Sequence, residues 1–186
     1  MEEIEQRVEA ILARVPEWIW DGERLPVPVE DIVDSCYGLH VREVEDLARV
    51  DGAPALGEGQ SLSGLLLEGP GEIWVDRAEA EQWPTRRRFT ISHELGHWEL
   101  HRSGLGGSAI FCRNGTVEPP DDDPAPERPP LPPTEEEANV FAAALLMPAR
   151  LVREHYPELK GDFFGLCERF AVSGAAMGRR LHRVIS

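Results

Sequence analysis

The sequence predicts an α+β fold, a small antiparallel or mixed sheet packed on one long helix and followed by a helical C-terminal part. Three observations carry this expectation. Apolar residues recur at helical spacing near both ends of the chain, three short β-rich runs lie between residues 40 and 75, and residues 88–101 are apolar around much of a helical circumference. A chain of 186 residues with 41% hydrophobic content is long enough for one domain with a real core, so residues 1–186 are read as a single unit.

The elements follow in order. Ile4, Val8, Ile11 and Leu12 repeat at helical spacing within residues 3–15, and Val29, Ile32 and Val33 do so within Pro28 to Cys36. His40 to Val44, Ser63 to Leu67 and Glu72 to Val75 are β-rich runs separated by Gly and Pro turns. Thr85, just after Pro84, is a candidate cap for the long helix. Between residues 116 and 133, eight of eighteen residues are Pro and three more are the adjacent acids Asp121, Asp122 and Asp123. Such a run can neither continue a helix nor join a central strand, and is read as a mobile surface loop, with the acids solvated rather than chelating. Thr134 then caps a further helix with acids in its first turn, ending before Pro148 and buried through Phe141, Leu145 and Leu146. Residues 150–186 form a helical subregion. There Leu166 to Arg183 has the pattern of a helix-turn-helix, with Ser173 capping a second helix that carries Arg179, Arg180 and Arg183 as candidate nucleic-acid contacts. The plainer reading packs Phe170, Val172, Ala176, Leu181 and Val184 onto the rest of the domain.

The chemistry concentrates in His93-Glu94-Leu95-Gly96-His97. On a helix His93 and His97 sit one turn apart on the same face, so two imidazoles converge on one ion, while Glu94 lies about 100° round the cylinder and can reach a water on that ion. Five-residue matches of this kind arise by chance, but the apolar flanks Phe89, Ile91, Leu95, Trp98 and Leu100 bury the histidines and so demand partners for them. Gly96, costly inside a helix by about 1 kcal/mol against Ala, implies close approach of another backbone or of substrate. A catalytic zinc needs a third protein ligand and an open position. Glu135, Glu136 and Glu137 offer carboxylates, and Asn139 shares a face with Glu135. A third histidine six positions beyond His97 would signal a different class, but position 103 is Ser. His101 would stand about 12 Å along the axis from His93, too far to share the ion, which leaves it a structural role, hydrogen-bonded beneath the site or on the loop that follows.

Residues 88–101 and 135–148, taken together with the strand-like Gly71 to Asp76, resemble the ImmA/IrrE metallopeptidases. The likeness runs loosely from about residue 25 onward. It implies a compact zincin-like metallopeptidase domain in which His93, His97 and the first Glu of Glu135-Glu-Glu-Ala-Asn139 hold zinc. That selects Glu135 over its two neighbours, the gluzincin arrangement. Glu94 would then take a proton from the attacking water and pass it to the leaving amine, and Asn139 would orient one imidazole. Neither spacing nor resemblance selects an oxyanion donor among Tyr156, His155 and His182. The resemblance also implies a regulatory endopeptidase that cuts a DNA-binding repressor, often of the helix-turn-helix kind; an antitoxin is the other expected class of partner. No fused repressor is visible, so the target is expected in trans. A peptide substrate is expected to pair with the strand Glu72 to Val75.

Composition bounds the alternatives. A net charge of −15 argues against a duplex-binding surface over the whole protein. Yet residues 150–186 hold seven Lys or Arg against four Asp or Glu, so a metal-containing DNA-binding regulator without peptidase turnover is the second functional class. No apolar run approaches the roughly 20 residues needed to cross a bilayer, and the start Met-Glu-Glu-Ile-Glu lacks the basic region of a signal peptide. Cys36, Cys112 and Cys167 are odd in number and widely spaced, which suits a reducing cytoplasm rather than a disulfide framework; Cys112 could reach the open metal position as an inhibitory thiolate, though a plain loop or buried role fits it better.

Overall fold

In a computed structural model of the chain, residues 1–51, 53, 60–102, 110–116, 131–158 and 162–185 are described. The Pro- and Asp-rich run expected to be a mobile loop lies outside them apart from its ends, as do Asp121 to Asp123 and the side chain of Cys112.

The chain begins with α1 (Glu2–Leu12), which buries Ile4, Val8 and Leu12 and places Glu2, Glu3 and Glu5 in its first turn, where the helix dipole favours negative charge. Helix α2 (Val29–Tyr37) buries Val29, Ile32 and Val33 and stops at Gly38, whose φ of 65° is left-handed and cheap only for glycine. Strands β1 (His40–Val44), β2 (Gln60–Leu67), β3 (Glu72–Asp76) and β4 (Ile110–Thr116) build a mixed sheet of order β1-β3-β2-β4. β1 runs parallel to β3, and β2 is antiparallel to both β3 and β4.

Alternation divides the sheet between two cores. Leu66, Ile73 and Val75 face the main core, whereas Leu65 joins Leu47 and Leu62 in a smaller one with Trp74 packed against it. Leu62 and Leu65 share a face despite odd spacing because the pairing with β4 slips between Leu62 and Gly64. A short helix α3 (Arg77–Gln82) follows, its Asp76 cap accepting from Glu79 N at 3.0 Å.

Helix α4 (Pro84–Leu100) lies on β2, β3 and β4, and α5 (Pro133–Leu146) packs along it. Neither helix uses the threonine cap expected from sequence. Pro84 and Pro133 occupy the first turns, where a fixed φ and a missing N–H cost nothing, so Thr85 and Thr134 fall inside the helices. Helices α6 (Ala149–Glu158), α7 (Phe163–Phe170) and α8 (Gly174–Ile185) complete the fold. Their Leu151, Val152, Phe170, Met177 and Val184, with Val172 from the turn between α7 and α8, belong to the same core as Val8, Ile73 and Leu95. Among the described residues no helix is long and apolar enough to cross a membrane.

Candidate metal centre

The eight consecutive residues Thr90 to His97 of α4 are all buried, because the helix is covered by the sheet on one side and by α5 on the other. Gly96 permits the second contact. A Cβ built there would stand 3.2 Å from Ala138 Cα and 3.2 Å from Phe141 Cβ, so the glycine lets the two helix backbones approach, as its position in the sequence implied.

That approach brings Glu135 to the histidines. His93 Nε2 and His97 Nε2 lie 3.0 Å apart, Glu135 Oε2 is 3.2 Å from His93 Nε2, and Glu135 Oε1 is 3.1 Å from His97 Nε2. The histidines are 1% and 0% exposed. Burial raises the Glu135 carboxyl, but the two imidazoles beside it outweigh that and hold it down at about 2. The outer nitrogens are also engaged. His93 Nδ1 meets Asn139 Oδ1 at 3.2 Å, His97 Nδ1 meets His101 Nδ1 at 3.0 Å, and His101 Nε2 meets Glu137 Oε2 at 2.9 Å. With the amide oxygen accepting from Nδ1–H, a neutral His93 presents a bare lone pair at Nε2.

The donor set fits a divalent cation. Three ligand atoms at 2.0–2.1 Å around a tetrahedral ion stand about 3.3 Å from one another, close to the 3.0–3.2 Å separations of these three side chains. Among the described residues this trio is the group of His, Cys, Asp and Glu side chains able to hold a metal ion. Glu94 is fully buried next to His93, with its carboxylate against Gly64 of β2. His155, which pairs with Arg169, and the exposed Tyr156 and His182 are not part of the trio.

Two expectations are corrected. β3 cannot pair with a substrate strand, because β1 and β2 occupy both its edges; β4, missed in the sequence, is, among the described residues, the edge beside α4. Arg180, expected on an exposed face as a nucleic-acid contact, is instead buried. It lies in the buried stripe of Ala176, Arg180 and Val184, donating to Met147 O at 2.8 Å and to both carboxylate oxygens of Glu5. Arg179 and Arg183 are exposed, and Ser173 Oγ does cap α8, accepting from Ala176 N at 3.3 Å. Sequence reasoning also missed Gly64, for which a glycine inside a strand pattern was the available signal, and the pairing of Glu137 with His101.

A family model described as the IrrE N-terminal-like domain, Peptidase M78, matches residues 79–182. Among solved structures, a Mycobacterium tuberculosis transcriptional regulator is similar at a TM-score of 0.55 and 17% identity, over 97% of this chain and 47% of that one. The chain thus spans about half the length of that protein, and the likeness is one of fold. No curated protein matches the chain.

Proposed function

This chain belongs to the IrrE N-terminal-like family of M78 metallopeptidases, and from that premise we propose that it is a zinc-dependent endopeptidase that cuts a regulatory protein in trans. The convergence of His93 Nε2, His97 Nε2 and the Glu135 carboxylate within 3.2 Å of one another is the observation that carries the reading. These three residues would hold the metal. Two imidazoles and one carboxylate suit zinc, although manganese or iron accept the same set. When bound, the cation supplies the Lewis acidity that makes water a nucleophile at neutral pH.

The protein groups do the rest. Glu94 takes the proton of the attacking water and returns it to the leaving amine nitrogen. Its burial against Gly64 fixes the carboxylate beside β2. Asn139 keeps the proton of His93 on Nδ1, away from the centre. The edge strand β4, one strand beyond Gly64, offers backbone groups on which an extended peptide can add as a further strand, setting its register over Glu94. A helix-turn-helix repressor or an antitoxin is the proposed class of target. Direct DNA binding through α8 is the weaker reading, since Arg180 is committed to Glu5 and Met147.

The test is co-expression with a candidate repressor encoded nearby, followed by fragment masses. Wild type should cut it, and Glu94→Gln should keep the metal and leave the repressor whole. Equal cutting by Glu94→Gln, or by wild type stripped with a chelator, would rule the mechanism out.

A further inference from the structure

We infer that Glu137 and His101 form a positioning relay that holds His97 in the tautomer able to bind a metal ion; this rests on reading His93, His97 and Glu135 as a metal centre. The relay runs from the surface inward. The side chains of Glu137, His101 and His97 are 51%, 11% and 0% exposed. His101 Nε2 lies 2.9 Å from Glu137 Oε2, and His101 Nδ1 lies 3.0 Å from His97 Nδ1.

The proton assignment follows from what each group can do. An ionised carboxylate only accepts, so His101 Nε2–H donates to Glu137. A neutral imidazole has one N–H, which leaves His101 Nδ1 as an acceptor. His97 Nδ1–H must therefore donate to it, and the lone pair of His97 falls on Nε2, the atom 3.1 Å from Glu135 Oε1 and 3.0 Å from His93 Nε2.

Helix α5 thus furnishes one metal ligand and the outer partners of both histidines. Asn139 serves His93 directly, and Glu137 serves His97 through His101. The two arms differ in kind. A neutral amide backs His93, whereas a carboxylate backs the other pair through a second imidazole. His101 lies four residues past His97, and this placement accounts for an imidazole that is not itself in reach of the ion.

The experiment measures zinc affinity by competition with a chromophoric chelator, and the visible spectrum after cobalt substitution, for wild type, His101→Phe, Glu137→Ala, Glu137→Gln and His93→Ala. His101→Phe and Glu137→Ala should weaken zinc by roughly 10–100-fold and shift the cobalt bands while the far-UV spectrum stays native. Glu137→Gln should recover most of the affinity, since its amide oxygen still accepts from His101. Glu137 is half exposed, so its variants carry the test if His101→Phe does not fold. Wild-type affinity in both His101→Phe and Glu137→Ala, with His93→Ala unable to bind, would overturn the relay and leave the metal centre standing. A wild type that takes up no zinc, indistinguishable from His93→Ala, would end both.

Discussion

Gly64 of β2 lies so close to Glu94 of α4 that a side chain at position 64 would force the helix or the carboxylate to move. A Cβ there would stand 2.9 Å from Glu94 Oε1 and 2.4 Å from Thr90 Cγ2. Thr90 is buried in the contact between the helix and the sheet, so its methyl has little room to swing clear and the helix is pushed outward instead. Gly64→Ala should therefore cost about 1–3 kcal/mol of stability from overpacking. Its larger effect should be on turnover, because the displaced carboxylate is the proposed proton carrier. Cleavage assays alongside zinc content check this: a fall in kcat of tenfold or more with one metal still bound is expected, and undiminished kcat would contradict it.

Gly96→Ala tests the other face of α4. Alanine gains about 1 kcal/mol of helix propensity over glycine, yet its methyl would meet Ala138 Cα and Phe141 at 3.2 Å. Ala138 is backbone and cannot yield without moving α5, and Glu135 sits on that helix one turn earlier. The two effects nearly cancel in stability but not at the metal. Zinc affinity of Gly96→Ala should drop several-fold with an almost unchanged melting temperature, and Gly96→Val should lose the metal altogether; chelator competition and thermal melts measure both.

The two glycines differ in how far their surroundings are set by local sequence. Gly96 stands inside a motif whose helical period is local, so the spacing of His93 and His97 and the apolar flanks already imply a neighbour pressed against it. Gly64 depends on which strand lies under α4, and strand order is a property of long-range pairing: β1 reaches β3 by a crossover, which places β3 inside the sheet and leaves β4 at the edge. Nothing in Glu72 to Val75 alone reports that. Similarly, Asn139 could be placed by its four-residue spacing from Glu135, whereas Arg180 reads as a surface charge until Glu5, 175 residues away, closes on it.

Arg180 is accordingly expected to matter for folding and not for nucleic acid. Its guanidinium is the acceptor-satisfying partner of Glu5 and of Met147 O at the end of α5, joining α1, α5 and α8. Removing it strands a half-buried carboxylate and a carbonyl, a loss of up to about 3 kcal/mol, moderated because Glu5 keeps some contact with water. The exposed Arg179 should tolerate the same change within about 0.5 kcal/mol. Urea unfolding of Arg180→Gln beside Arg179→Gln distinguishes them, and a promoter-shift assay in which Arg180→Gln weakens binding without loss of stability would reverse the assignment.

The metal-free protein should lose stability in acid through Glu135. Burial raises the Glu135 carboxyl, but His93 and His97 outweigh it and bring the folded-state value to about 2, against 4.5 for the free group. A carboxyl depressed on folding adds stability that is complete above the unfolded value and is lost as pH falls through the window from 4.5 to about 2, because below it the folded state must take up a proton it resists. Glu135→Gln cannot take up that proton. Wild type held in chelator should thus lose urea resistance more steeply between pH 5 and pH 3 than Glu135→Gln does, even though other carboxylates titrate in both. Parallel slopes for the two proteins would mean that the imidazoles do not hold this carboxylate in the absence of an ion, and that the three side chains meet only when a cation draws them together.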